Sequence, residues 1–324
     1  MIKYLFRHNK DYSRFNIIKQ LLQGFTCKHP IYILLPFSKN QFLKHFFKRK
    51  YIINDFFISN YDTYVYDRKK ITKYNPRAWW KFFQDWFNFR YSKYLLSDTQ
   101  AHFEYWQSLF GHFRGEHFVL PVLADKTIYY PSKSIKPDHT KASILFYGSF
   151  IPLHGIDVIL NAFHLLEKEH IPFEATIIGK GQTYQPMKQL YNDLHLQNVV
   201  MDGTFIKETE LAEKIRESDI VLGIFGESTK AKSVIPNKAY QALASQKTLI
   251  TMHSETLYEF LTDEDMVTCN NTPIALAEAM KKLILNPELI ASYQQNGYNK
   301  FLSLYDKTQH EFIQFIQSID TKKE

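Results

Sequence analysis

Residues 234–250 read VIPNKAYQALASQKTLI, and the fold is decided there. Pro236 suits the first turn of a helix, where its missing N–H is not needed. Tyr240, Leu243 and Ala244 recur at helical spacing and give one apolar face. Ser245 to Lys247 turn the chain, and Thr248 to Ile250 form a short buried strand. A polar loop therefore feeds a helix whose first N–H groups lie beside Asn237 and Lys238. Such a helix end favours anions, because its free N–H groups and its dipole act together. Gln241 lies one turn further in, where its amide can meet a sugar hydroxyl. The plain alternative is an ordinary core helix between two parallel strands.

Outward toward the C-terminus, the pattern stays regular from Ser143. Ile144–Tyr147 is a strand, followed by the loop GSFIPLHG (148–155) and a helix with Ile156, Ile159, Leu160 and Phe163 on one side. The strand 175–178 ends in Gly179-Lys180-Gly181. Strands at 199–201, 220–222 and 266–268 alternate with helices, which implies a parallel sheet covered by helices. Gly148, the 179–181 turn and the helix after Pro236 then all fall at the carboxyl edge of one sheet. Asp263-Glu264-Asp265 has an Asp-x-Asp spacing but reads as a solvated turn.

Toward the N-terminus the chain changes character. Residues 1–140 hold 23 Lys and Arg against 10 Asp and Glu, and the rest 17 against 23. A basic half joined to an acidic half points to an anionic partner for the first. Strands are expected at 2–6, 31–35, 62–67, 94–96 and 118–122, with helices at 15–25 and 100–109. Residues 41–50 read as one amphipathic helix carrying Phe42, Leu43, Phe46 and Phe47 against Lys44, Lys48, Arg49 and Lys50, suited either to a lipid headgroup layer or to core packing with a solvated basic edge. The strand at 62–67 would deliver Asp67 at its carboxyl end. AWWKFFQDWFNFRY (78–91) carries more rings than one helix face can hold. Some rings must therefore meet a partner. An anionic membrane surface is the favoured partner, with single-stranded RNA the rival. Residues 129–140 read as a linker. Cys27 and Cys269 match no metal spacing, so a reducing compartment is expected. With no signal peptide and no run long enough to span a bilayer, the expected location is cytoplasmic.

GSFIPLHGIDVILNAF, IIGKG, VVMDG, ESDIVLGIF, IPNKAYQALASQKTLI and ETLYEFL, in that order, resemble the nucleotide-sugar domain of family 4 glycosyltransferases. The resemblance covers about residues 60–305 and is strongest over 143–261. It implies an α/β fold of GT-B architecture, two Rossmann-like domains facing across a cleft: 1–138 on the acceptor side, 139–305 for the nucleotide sugar, and a terminal helix 306–324 packing back on the first. It implies sugar transfer with retention from a nucleoside-diphosphate sugar to a glycan or lipid-linked acceptor in cell-surface polysaccharide synthesis. The expected setting is the inner face of the membrane, with no metal, no other cofactor and no nucleic-acid partner.

Residue by residue, the resemblance puts Gly148 near the donor diphosphate and His154 where a Lys usually neutralises it. Phe205 and Ile206 would border the nucleobase, and Glu227, after Gly226, would face the donor sugar. Val234, Ile235, Asn237 and Lys238 would meet the phosphates. Gln241 and Ser233 take the places of the two Glu residues of a Glu, seven residues, Glu pattern, the second of which binds ribose. Lys180, Lys232 or Lys238 would restore positive charge at the diphosphate, with Arg7 or His8 replacing an absent glycine loop. Asp67 falls near the usual catalytic His; the catalytic set is thus Asp67, Glu227 and Lys238. The other readings are a nucleotide-sugar 2-epimerase on the same architecture, an inert transferase-fold binding module, and an RNA-binding protein using the basic half.

Overall fold

The structure, a computed structural model, describes residues 1–6, 13–132 and 141–322. The chain forms two compact units. One holds Met1–Leu123 with Tyr305–Glu324, and the other Ala124–Leu304. The boundaries expected from the sequence lie at 138 and 305. Arg7 and His8 fall outside the described residues, as does most of the expected linker.

The N-terminal unit runs β1 (Ile2–Leu5), α1 (Ser13–Leu21), β2 (Ile31–Leu34), α2 (Asn40–Lys44), β3 (Ile52–Asp55), α3 (Asn60–Asp62), α4 (Pro76–Tyr91), β4 (Tyr94–Ser97), α5 (Gln100–Phe110) and β5 (Glu116–Val119). Its five strands lie in the order β1-β2-β3-β4-β5, all parallel. An aromatic core of Phe56, Phe89, Phe103, Trp106, Phe110 and Phe113 packs on Leu95. Edge-to-face contacts such as Phe56 on Trp106 at 4.8 Å hold the rings in place.

Two expectations fail here. Residues 62–67 are helical: α3 continues into a π-helical turn, Thr63–Asp67. Ser59 starts that helix, its Oγ accepting from the Asp62 N–H at 3.0 Å, so a cap outweighs the weak alternation of DTYVYD. The strand the sheet uses instead is Ile52–Asp55. Residues 41–50 are not one helix either. The short α2 stops at His45, and a 3-10 turn, Phe46–Tyr51, follows. Phe42 is drawn inward against Leu34 and Ile52, whereas Phe47 is 93% exposed.

The second unit runs β6 (Ala142–Tyr147), α6 (Ile156–Lys168), β7 (Phe173–Ile178), α7 (Tyr184–Asp193), β8 (Val199–Asp202), α8 (Glu208–Glu217), β9 (Ile220–Leu222), α9 (Thr229–Ser233), α10 (Asn237–Ala244), β10 (Thr248–Met252), β11 (Val267–Cys269) and α11 (Pro273–Ile284). Helix α12 (Pro287–Thr321) ends the described chain. The six strands are again all parallel, in the order β11-β10-β9-β6-β7-β8. The strands are apolar runs because both faces are covered, as in Ile220–Leu222 and Thr248–Met252, buried throughout. From Tyr305 onward α12 packs within the N-terminal unit: Phe312 and Phe315 stack on Phe118 at 5.6 and 5.1 Å, and the Asp320 carboxylate accepts from the backbone N–H groups of Lys28 and His29.

Candidate functional site

In a parallel α/β sheet the strand ends and helix starts meet at the carboxyl edge, and ligands gather there. In the second unit, β6 ends at Tyr147 and passes into Gly148, whose φ of +144° an L side chain rarely adopts. A Cβ on Gly148 would come within 2.9 Å of His154 Cε1 and 3.3 Å of Lys238 Nζ. A Cβ on Gly179, the next strand's end, would strike the Gly148 carbonyl oxygen at 2.0 Å. The two glycine turns, at the carboxyl edge of one sheet, therefore pack directly on each other.

Lys238 is the second residue of α10, and its side chain is buried, 4% exposed. Its Nζ has no hydrogen-bond partner among the described residues. The ammonium lies 4.2 Å from the centre of the Phe146 ring, a contact that offsets only part of the lost hydration. Burial pulls its pKa down to about 7. The His154 ring packs edge-on against Phe146 at 5.7 Å. Burial, and then the charge of Lys238, hold its pKa well below the ordinary value, against a backbone hydrogen bond with Ser149. Its Nδ1 also lacks a partner. No side chain caps the first N–H groups of α10 or of α6. Two uncapped helix starts, a buried ammonium and a neutral imidazole thus surround a turn with no side chain. That arrangement has the chemistry to suit an anion.

Gln241, one turn along α10, is buried and its amide is engaged at both ends. Its Oε1 accepts from Tyr147 Oη at 2.7 Å, and its Nε2 donates to Tyr129 Oη at 2.8 Å. Tyr129 Oη in turn donates to Glu208 Oε1 at 3.2 Å. Burial first, and then neighbouring groups, raise the pKa of both tyrosines, so both hydroxyls stay protonated. Sequence reasoning missed this chain, because Tyr129 stands 112 residues from Gln241 in a stretch read as linker. Ser233 Oγ donates to the Thr229 carbonyl of its own helix at 2.8 Å. The start of that helix, α9, is already capped by Ser228.

The structure thus gathers Gly148, His154, Lys238 and Gln241. Ile235 is buried and Val234 half-buried just ahead of α10, whereas Asn237 is exposed. Lys180 and Glu227 are exposed and form no ion pair with a described residue. Phe205 is exposed and Ile206 half-buried in the turn after β8, where Thr204 N–H donates to Asp202 at 2.9 Å. Asp263 accepts from Tyr258 Oη, and Asp265, buried rather than solvated, accepts from Thr262 N–H and Oγ1, so both carboxylates serve a turn.

Asp67 lies in the other unit, buried, on the π-helical turn rather than at a strand end. The carboxyl ends of β3 and β4 bring Asp55 and Asp98 instead, both buried. Arg14 grips Asp55 through Nε and Nη2 at 3.1 and 3.0 Å, and Asp98 meets His102 Nδ1 at 2.6 Å. Burial raises the Asp55 pKa, opposed by Arg14. Among the described residues no group of His, Cys, Asp and Glu has the make-up of a metal site, and no helix is long and apolar enough to cross a membrane.

Residues 132–300 match the family described as glycosyl transferases group 1. No curated protein matches the chain in sequence. Among solved structures, the chain is similar to sucrose-phosphate synthase from Thermosynechococcus elongatus (TM-score 0.69, 12% identity, 94% of this chain and 77% of that one). It is similar also to HepE from Anabaena, solved with UDP and glucose (TM-score 0.66, 11% identity, 98% and 99%). A third is the pneumococcal O-GlcNAc transferase GtfA, solved with UDP and GlcNAc (TM-score 0.62, 12% identity, 95% and 60%). At these identities the likeness shows the fold, which is GT-B.

Proposed function

We propose that this chain, which belongs to the glycosyl transferases group 1 family and is a glycosyltransferase, moves a sugar with retention from a nucleoside-diphosphate sugar to a glycan or lipid-linked acceptor in cell-surface polysaccharide synthesis. The observation that carries the donor half of this reading is the buried, unpartnered Lys238 ammonium beside Gly148. An ammonium desolvated without a counter-ion costs the empty protein free energy, and a diphosphate removes that cost. UDP bound to HepE and to GtfA supports a nucleotide donor of this kind.

In this mechanism, the bond from the sugar to the diphosphate lengthens and negative charge gathers on the leaving phosphate. Lys238 meets that charge as a full cation, and the starts of α10 and α6 meet it as dipoles. His154, kept neutral by its surroundings, donates a hydrogen bond rather than a charge. No metal is required in this scheme. The leaving phosphate takes the acceptor proton, so Asp67 need not act as a base. Gln241, tied to Tyr147 and Tyr129, presents a fixed amide toward the ribose in place of the carboxylate that the resemblance would put there.

The acceptor half of the reading rests on the rings of the N-terminal unit. Trp79, Trp80 and Phe83 are exposed, and a cleft of about 570 Å³ lies among Tyr61, Tyr74, Trp79, Phe82 and Phe83. These suit a lipid-linked acceptor at the inner face of a membrane. Incubating the purified protein with UDP-, GDP-, ADP-, CDP- and dTDP-sugars, with and without lipid acceptor, tests the whole reading. It expects release of one nucleoside diphosphate and a product with the donor's anomeric configuration. Failure of all five to bind or react would end it, and replacing Trp79 and Trp80 with Ala must weaken vesicle binding.

A further inference from the structure

β3, β4 and β5 are neighbours in the N-terminal sheet, so the segments that lead into them meet at its amino edge. Arg49 and Lys50 precede β3, Ser92 and Lys93 precede β4, and Arg114 and Gly115 precede β5. Between them lies a cleft of about 350 Å³ lined by those residues together with Phe47 and Tyr91. It contains four cations and no carboxylate. None of the four forms an ion pair with a described residue. Glu116, the acid that follows Gly115, is already held by Lys322 at 2.6 Å.

The cationic heads are partly steadied by rings. The Arg49 guanidinium lies 4.5 Å from the Phe46 ring centre, Lys50 Nζ 4.9 Å from Tyr51 and Lys93 Nζ 5.3 Å from Tyr94. Gly115 permits the approach of its strand to the next, since a Cβ there would strike the Lys93 carbonyl oxygen at 2.3 Å. A solvated basic face disperses its charges or interleaves acids among them. Here repulsion between four unpaired cations is built into one concave surface.

We propose that this cleft is a second anion site, taking a phosphate-bearing group at the amino edge of the N-terminal sheet. A phosphate monoester carries about −1.5 to −2 charge and three strong acceptor oxygens. Two guanidinium forks and two ammoniums match that better than they match a single carboxylate. The group has two sources, a soluble phosphate or a lipid headgroup, and the exposed faces of the Phe47 and Tyr91 rings in its lining would meet apolar ligand atoms only in the second.

Pyrophosphate would also enter the Lys238 site, so the test uses Lys238→Met protein, full length, with and without the pair Arg49→Gln and Arg114→Gln. Inorganic pyrophosphate is titrated by calorimetry, and the same proteins are sedimented with phosphatidylcholine vesicles with or without phosphatidic acid. The inference expects the pair to weaken binding roughly tenfold or more, with less difference at high salt. Loss on pyrophosphate alone assigns a soluble source; loss on phosphatidic acid vesicles assigns the headgroup. Lys50→Gln with Lys93→Gln, approaching from the other side, must give the same loss. Unchanged binding to both probes in variants that keep the parent's melting temperature overturns the site. Nucleoside diphosphate binding by protein that retains Lys238 is untouched by these variants, so failure here is distinct from failure at the donor site.

Discussion

Two buried lysines, one in each unit, are handled in opposite ways. In the N-terminal unit the buried Arg14 and Lys39 each meet an acid, Asp55 and Asp85, and the His102 ring stands on Asp98. Asp85 further accepts from Ser59 Oγ at 2.7 Å and Tyr61 N–H at 2.8 Å. In the second unit Lys238 is equally buried, but its ammonium meets the rings of Phe146 and Tyr147 and no acid. A satisfied buried pair is a piece of scaffold. A lone buried ammonium beside a glycine turn is what the proposed donor site needs, with its missing partner supplied from outside.

The contrast breaks most sharply if the paired network proves dispensable. Asp85→Asn leaves the Lys39 ammonium buried without its counter-ion, and we expect about 3–5 kcal/mol of destabilisation in urea unfolding. Lys238→Met is expected to do the reverse. Stability at pH 7 holds or rises, while kcat/KM for the donor falls by roughly 10²–10³-fold, the scale for removing a group that meets developing charge. A matching fall in stability would make Lys238 scaffold after all. Gln241→Ala sharpens the boundary between the two roles. It strips the Tyr147 and Tyr129 hydroxyls of a shared partner and is expected to cost about 1–3 kcal/mol of stability. Because the proposed donor site sets this amide beside the ribose, the change should weaken a nucleoside diphosphate more than pyrophosphate. Equal weakening would leave Gln241 a purely structural link.

Legibility in the sequence follows the same divide. The second unit was readable because its strands are apolar runs and its turns carry glycine, so period and punctuation agree. Pro236 and Gly148 marked the site for local reasons. In the N-terminal unit the strand Ile52–Asp55 hid itself, since half of it is polar. Asn54 is buried only because its amide donates to Ser92 Oγ, and Asp55 only because Arg14 arrives from 41 residues away. A dense supply of rings also blurs the difference between a period of two and one of 3.6, which is how 62–67 passed for a strand. Long-range partners such as Tyr129 for Gln241 leave no local mark at all.

The pH dependence of Lys238 gives the most direct test. Its pKa is about 7 folded and about 10.4 unfolded, so between those values the unfolded chain holds a proton that the folded chain lacks. Stability of the empty protein therefore rises with pH across that window, and a bound anion, by drawing the proton back, narrows the difference. The decisive measurement is calorimetric binding, at about pH 8, of whichever nucleoside diphosphate binds best, in two buffers of different ionisation heat. The account predicts uptake of close to one proton per ligand, absent in Lys238→Met. Binding with no proton uptake, or with the same uptake in the variant, would contradict it.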